Sequence, residues 1–167
     1  MPTSMFSIDP LFLKDDMPQY HGGYYLPFHP DHLDRFSGIK EYGGKDLTFD
    51  QRKAAISFQA QVGPTITAFV YGKPVAIFGC VMVWKGMGEA WALFADNARR
   101  YPVAMTKGAR VFFNTCIRSY NLHRIQITVK KSDKRAIKWA KCLKFETEGT
   151  LEKYSADQED YYMMRRL

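Results

Sequence analysis

The stretch EAWALFADNARRYPVAMTKGARVFF, which runs from Glu89 to Phe113, decides the fold predicted for this chain. Its beginning, EAWALFA, is an apolar run of the length expected for a buried strand. From Pro102 onward, apolar residues recur near the 3.6-residue period of a helix that buries one face. The strand and the helix are joined by a turn that carries Arg99 and Arg100.

This order of elements is typical of a phosphate-binding site, because free amides and the helix dipole at a helix N-terminus attract anions. Phosphate-binding turns usually contain glycine, which lets the backbone approach the ligand closely. The turn here contains no glycine before Gly108. Pro102 also lacks an N–H, although its fixed φ suits the first position of a helix. We therefore expect the two arginines to compensate for what the turn lacks; the alternative is an N-capped helix whose arginines face solvent.

Patterns on both sides of this stretch predict the remaining elements. We expect a strand at Gly23–Phe28, a helix opened by Pro30 and a second helix capped by Thr48. Short glycine-containing turns then separate three antiparallel strands, at Pro64–Gly72, Val75–Trp84 and Glu89–Asp96. A fifth strand at His123–Lys130, a helix capped by Ser132 and a hairpin within Glu146–Arg166 follow. This order predicts an α+β fold in which helices flank both sides of one mixed, mostly antiparallel sheet.

The domain organisation follows from length and from the positions of proline. Residues 1–21 lack periodicity and contain Pro2, Pro10 and Pro18, so we expect an irregular N-terminal arm. Residues 22–167 are expected to form a single domain, since a chain of 167 residues with 46% hydrophobic residues can bury one core.

Composition also limits where the protein works. The longest apolar run, VAIFGCVMVW at Val75–Trp84, is too short to span a membrane. Three cysteines without paired spacing predict free thiols in a reducing cytosol. The four histidines show no HExxH or paired Cys/His spacing. We therefore expect a cytoplasmic protein with no membrane contact and no metal site.

The charge is unevenly distributed along the chain. The formal net charge is +7, yet residues 97–144 alone contain thirteen Lys or Arg and a single acid, Asp133. This concentration favours an anionic partner such as nucleotide phosphates, nucleic acid or an acidic protein. A basic surface that serves only solubility is the alternative.

Two segments resemble motifs of the GCN5-related N-acetyltransferase superfamily, and the resemblance extends over residues 22–166. The segment around ARRYPVAM resembles the pyrophosphate loop (Gln/Arg)-x-x-Gly-x-(Gly/Ala), with Arg99 first, Pro102 in place of glycine and Ala104 last. The segment SDKRAIKWAKCLKFETEG resembles a second motif, in which Asp133 replaces Asn and Ala136 and Phe145 match. In that motif Ala140 replaces a tyrosine and Lys144 replaces a glycine.

The resemblance implies acetyl-CoA as co-substrate. Leu93, Phe94 and Ala95 would then line the pantetheine arm. The pyrophosphate would lie against the helix N-terminus, near the side chains of Arg99 and Arg100 and the amides of Val103, Ala104, Met105 and Thr106. Ser132 and Trp139, in the second segment, complete the expected cofactor-binding set.

Acetyl transfer to an amine needs a base for the ammonium proton and benefits from an acid for the departing thiolate. Glu89 is the candidate base, because it begins the central strand near the apolar Trp84 and Trp91; His123 is an alternative. The acid position is open, since the expected tyrosine is absent at Ala140. Tyr120 is our candidate acid, and Ser132 and Cys142 are alternatives in neighbouring segments.

Three functions follow as hypotheses. The first is an acetyl-CoA-dependent N-acetyltransferase that acts on an amine of a protein or small molecule. The second is a catalytically degenerate acetyltransferase-like protein of a tailed phage, located in the host cytoplasm or the virion, where it binds a partner. The third is nucleic-acid binding through the basic segment KKSDKRAIKWAKCLK.

Overall fold

The computed structural model describes residues 22–40 and 42–167, so the arm expected at residues 1–21 lies outside the described residues. Seven strands form one sheet in the order β1-β2-β3-β4-β5-β7-β6. The strands are β1 (Gly23–Pro27), β2 (Thr65–Val70), β3 (Lys73–Trp84), β4 (Met87–Phe94), β5 (Arg124–Lys130), β6 (Glu146–Leu151) and β7 (Tyr161–Arg166).

The sheet is mixed, and among the strands that the structure describes β4 and β5 are the one parallel pair. All other neighbouring strands run antiparallel. The parallel pair is connected by helix α2 (Pro102–Ser119), as a parallel pair requires a crossover. The expected mixed, mostly antiparallel sheet flanked by helices is confirmed.

Helices cover both faces of the sheet. Helix α2 and the short helix α3 (Lys134–Cys142) pack on one face, where Phe78, Phe112 and Met164 are fully buried. Helix α1 (Phe49–Gln61) and two 3₁₀ segments cover the other face, around Leu33 and Ile56. Because side chains alternate along a strand, β4 contributes Ala90, Ala92 and Phe94 to the first face and Trp91 and Leu93 to the second.

Two helix predictions are corrected by the structure, and a third is confirmed. The helix expected from Pro30 is instead two 3₁₀ segments, Pro30–Arg35 and Ser37–Ile39, because Phe36 between them adopts extended backbone and is buried. The cap of α3 is Asp133, whose Oδ1 accepts the Ala136 amide at 3.0 Å, and not Ser132. Thr48 caps α1 as expected, since its hydroxyl accepts the Gln51 amide at 3.2 Å.

Within residues 22–40 and 42–167, no helix is both long and apolar enough to cross a membrane.

Candidate functional site

The strands β4 and β5 pair over only part of their length. Their register contains three residue pairs: Met87 with Arg124, Gly88 with Ile125, and Glu89 with Gln126. Beyond Glu89, β4 continues to Phe94 and β5 continues to Lys130 without further pairing. The sheet therefore opens into a gap that begins at Glu89 and widens toward the carboxyl ends of both strands. We call this opening the β4–β5 gap.

Backbone hydrogen-bonding groups of β4 point into the β4–β5 gap. The Ala95 amide donates to the Val75 carbonyl at 2.9 Å, so Ala95 faces β3. Along an antiparallel strand, successive residues direct their N–H and C=O groups to opposite sides. Leu93 and Trp91 consequently also face β3, whereas Ala92 and Phe94 direct theirs toward β5, where the pairing has ended. Buried backbone groups need partners, so this edge is prepared for a ligand that carries amides.

A cavity of about 370 Å³ occupies the β4–β5 gap. On the helical face it is bordered by Phe94 of β4, Ile127 of β5 and Ala136 and Ala140 of α3. Trp91 of β4 also borders it, although its indole packs on the α1 face over Gly79 of β3. The Trp91 indole N–H is buried and has no hydrogen-bond partner among residues 22–40 and 42–167.

The arginine-containing turn lies just beyond the end of β4. Asp96–Arg100 is a 3₁₀ segment, and α2 begins at Pro102 without a side-chain cap from Tyr101. Helix geometry leaves the amides of Val103 and Ala104 without an intrahelical acceptor. These two amides, rather than the four expected, remain for a phosphate, because the Met105 amide already donates to the Tyr101 carbonyl at 2.9 Å.

The side chains of this turn leave the helix N-terminus accessible. Arg99 and Arg100 are exposed, and neither forms an ion pair with any residue that the structure describes. Val103 is 64% exposed, so it does not fill the space before the helix. An anion can therefore approach the first turn of α2 despite the branched side chain at Val103.

Trp139 lies between the cavity and the arginine turn. Its indole N–H donates to the Thr106 hydroxyl at 3.1 Å, and that hydroxyl donates to the Pro102 carbonyl at 2.8 Å. The Trp139 ring meets the Phe94 ring edge-on, with centroids 5.2 Å apart. These contacts join α3 to both the end of β4 and the first turns of α2.

Solved structures share this architecture, although no family model and no curated protein matches the sequence. Ard1 from Thermoplasma volcanium has a TM-score of 0.69 at 17% identity, covering 87% of this chain and 97% of that one. A chimera of the spermidine N-acetyltransferase SpeG from Vibrio cholerae with hSSAT has a TM-score of 0.70 at 12% identity, covering 87% and 95%. The acetyltransferase yncA from Salmonella typhimurium, described as putative and solved with its cofactor acetyl-CoA, has a TM-score of 0.66 at 10% identity, covering 87% and 93%.

The fold is that of the N-acetyltransferases. Identities of 10–17% establish the fold and nothing finer. These neighbours give no support to the alternative of a phage origin.

The acetyltransferase fold brings some of the predicted site residues together. Phe94 and Trp139 border the β4–β5 gap. Leu93 and Ala95, expected beside them, instead pack on the α1 face, because alternate residues of one strand cannot share a face. Ser132 is exposed in the turn before α3 and does not border the cavity.

The two catalytic candidates lie at different places. Glu89 is half-buried where the β4–β5 gap begins, as the last residue of β4 that pairs with β5, and it does not border the cavity. Trp84 is 64% exposed and so cannot provide the apolar surroundings expected for Glu89. Tyr120 caps the far end of α2, where burial, followed by the nearby Cys116 and Cys80, raises its pKa. Tyr120 does not border the cavity.

The alternative candidates are also placed by the fold. His123 and Cys142 are exposed. Cys116 is fully buried beside Cys80, and this burial raises the pKa of its thiol. Among the described residues, no cluster of His, Cys, Asp and Glu side chains could hold a metal ion.

Several residues that border the β4–β5 gap were not predicted from the sequence, among them Ala90, Ala92 and Tyr161. Ala90 and Ala92 border it because they share the face of Phe94, and the alternation of β4 could have identified them. Tyr161 borders it from β7, and burial raises the pKa of its hydroxyl although nearby Lys130 opposes the shift. Tyr161 could not have been identified from the sequence, because its position depends on the pairing of β7 with β5.

Proposed function

We propose that this protein is an acetyl-CoA-dependent N-acetyltransferase that acts on an amine of a small molecule or a protein. One observation carries the proposal: β4 and β5 separate after three residue pairs and leave backbone groups facing a cavity. The exposed N-terminus of α2 and two unpaired arginines follow directly from the same strand.

The residues present fit the chemistry of this co-substrate. Amides of the pantetheine arm are peptide-like, and the backbone groups of Ala92 and Phe94 offer them the pairing of a missing strand. Arg99, Arg100 and the first turn of α2 provide the positive charge that a pyrophosphate needs.

When bound, acetyl-CoA supplies the acetyl group as a thioester. The chain's own part is to hold the amine and to remove its proton. Glu89 shares the α1 face of β4 with Trp91, opposite the face covered by α2 and α3. A carboxylate at the apex of the gap can accept a proton from an ammonium group that approaches from the α1 face. Tyr120 stays a weaker candidate for the acid, because its hydroxyl is on α2 and outside the cavity.

The proposal is tested by binding and turnover on the same preparation. Calorimetric titration with acetyl-CoA should give a saturable signal, and release of free thiol should require an amine. The acceptor panel should contain spermidine, a peptide with a free N-terminus, and the same peptide with a blocked N-terminus and one lysine.

The Glu89→Gln variant separates binding from chemistry. We expect it to bind acetyl-CoA as the unmodified protein does and to lose about 100-fold or more in turnover, because a positioned base contributes on this order. Glu152→Gln, at an exposed turn, is the matched control and should retain full turnover. No binding at millimolar acetyl-CoA would overturn the proposal. Full activity of Glu89→Gln would exclude Glu89 as the base.

A further inference from the structure

The exposed surface of α3 is almost entirely cationic. The exposed positions of this helix are Lys134, Arg135, Lys138, Lys141 and Cys142. All of them except Cys142 therefore carry a positive charge. The helix exposes no aromatic or aliphatic side chain, since Ile137 and Trp139 are partly buried against the core and Ala140 is fully buried.

These charges repel one another within the helix. Lys134 and Lys138 are four residues apart, and Arg135 and Lys141 each lie three residues from Lys138, spacings at which side chains are neighbours and like charges destabilise a helix. The adjacent acid, Asp133, is committed to the helix cap through its bond to the Ala136 amide. A surface needed only for solubility would mix both signs of charge.

The cationic surface continues from α3 onto α2. We call it the basic layer; it comprises exposed Lys107, Arg110, Arg118, Lys134, Arg135, Lys138 and Lys141. None of these side chains forms an ion pair with an acid in the described part of the chain. Because α2 and α3 pack on the same face of the sheet, all these charges belong to one side of the molecule.

The basic layer is longer than the proposed cofactor requires. At a rise of about 1.5 Å per residue, Arg118 lies roughly 22 Å along α2 from Val103, where a pyrophosphate would be held. Cations at this distance cannot serve the same phosphates. The ligand that matches the whole layer is an extended polyanion.

We propose that the basic layer binds the sugar–phosphate backbone of a nucleic acid. Phosphate backbones are recognised mainly by Lys and Arg, without the need for apolar contacts. An acidic protein partner fits less well, because protein interfaces depend on buried aromatic or aliphatic anchors, which the exposed face of α3 does not present. This surface is separate from the β4–β5 gap, so its test does not depend on acetyl transfer.

The experiment measures binding of the full-length protein to a fluorescent 20-base-pair DNA duplex and to an RNA duplex of the same sequence. If about five phosphates are contacted, affinity for the DNA should fall about 500-fold between 50 and 200 mM salt. Each of Lys138→Gln and Lys141→Gln should weaken binding and reduce the slope of log affinity against log salt by about one.

Thermal unfolding of the same variants distinguishes binding from a structural role. Removing one of the repelling charges should leave the melting temperature unchanged or raise it, while the affinity for the duplex falls. Lys45→Gln, in the loop before α1 on the opposite side of the sheet, is the matched control and should not alter binding.

Three results would overturn the proposal. The first is no duplex binding at 50 mM salt. The second is complete displacement of the duplex by saturating acetyl-CoA, which would reduce the layer to a cofactor phosphate site. The third is equal affinity for poly-glutamate, which would indicate an acidic protein partner instead. Binding of RNA alone or DNA alone would support the proposal and identify the nucleic acid.

Discussion

Trp139 is the residue whose position most affects whether the cavity can accept a long ligand. Its ring contacts Phe94 and its indole N–H donates to Thr106, so it stands between the β4–β5 gap and the amides of α2. A ligand that occupies both places must pass this side chain. We therefore expect the bond between Trp139 and Thr106 to break when acetyl-CoA binds.

The Thr106→Val substitution tests this requirement. It removes the hydroxyl that accepts the Trp139 N–H while keeping the shape of the side chain. Since a hydrogen bond of this kind contributes about 0.5–1.5 kcal/mol, we expect acetyl-CoA to bind about two- to tenfold more tightly by calorimetry. Thr106→Ser retains the hydroxyl and should bind as the unmodified protein does. Weaker binding by Thr106→Val would show that Trp139 is already placed for the ligand.

His32 should make stability depend on pH. Its Nδ1 accepts the His29 amide at 3.2 Å and lies 2.8 Å from the hydroxyl of fully buried Thr67, so the ring is held neutral. Burial lowers its pKa below the ordinary 6.5, nearby His29 lowers it further, and Asp31 opposes the shift. The unfolded chain therefore binds the proton more readily. The stability that the neutral His32 ring contributes to the fold is fully present above about pH 6.5 and is lost as the pH falls below that value.

Urea unfolding at pH 5.5 and 7.5 measures this effect. We expect a lower free energy of unfolding at pH 5.5, and a smaller difference between the two pH values in His32→Gln. His123→Gln, at an exposed histidine, corrects for the general change of charge and should keep the difference of the unmodified protein. If His32→Gln also keeps that difference, the neutral ring is not the cause.

At the level of elements, the turn from β4 into α2 combines two sources of positive potential. The uncapped first turn of α2 supplies the free amides of Val103 and Ala104, and the 3₁₀ segment before it supplies Arg99 and Arg100. Glycine was expected at such a turn because it gives the ligand space. In this structure the space exists because Val103 projects into solvent.

Replacing each arginine separately tests whether its charge compensates for the glycine that the turn lacks. We expect Arg99→Gln and Arg100→Gln each to weaken acetyl-CoA binding about tenfold, at the low end of charge-assisted hydrogen bonds because both side chains are exposed. Acetyl-pantetheine, which lacks the pyrophosphate, is the matched ligand, and its affinity should not change. An equal loss for both ligands would indicate a distorted turn rather than a lost phosphate contact.

At the level of the whole molecule, the sequence predicts the layers of the fold better than it predicts the β4–β5 gap. The alternation in the β5 segment and the apolar period of α2 predict which faces are buried, because burial acts locally on each element. The segment EAWALFA would have the same apolar pattern whether one edge or both edges of β4 were paired. The extent of pairing with β5 depends on how α2 and α3 hold the two strands, which is a property of tertiary packing.

The same limit applies to individual site residues. The cap of α3 differs from the expected one by a single residue, since Ser132 and Asp133 are both good caps and only the backbone decides between them. Leu93 was placed in the cofactor site and lies on the other face, although the alternation of β4 was sufficient to exclude it. Tyr161 reaches the cavity through strand pairing that joins distant parts of the chain.

The β4–β5 gap divides the sheet into halves, β1–β4 and β5–β7, which are joined by three residue pairs and by helix packing. Amide hydrogen exchange can resolve this residue by residue, because an N–H without a strand partner exchanges without unfolding. In the free protein, the amides of Ala92 and Phe94 should exchange far faster than those of Trp91 and Leu93, which face β3. Acetyl-CoA should slow Ala92 and Phe94 selectively, because it would occupy the position of the missing strand. If Ala92 and Phe94 are already as protected as Leu93 without ligand, the gap is closed in solution and the binding site proposed here does not exist.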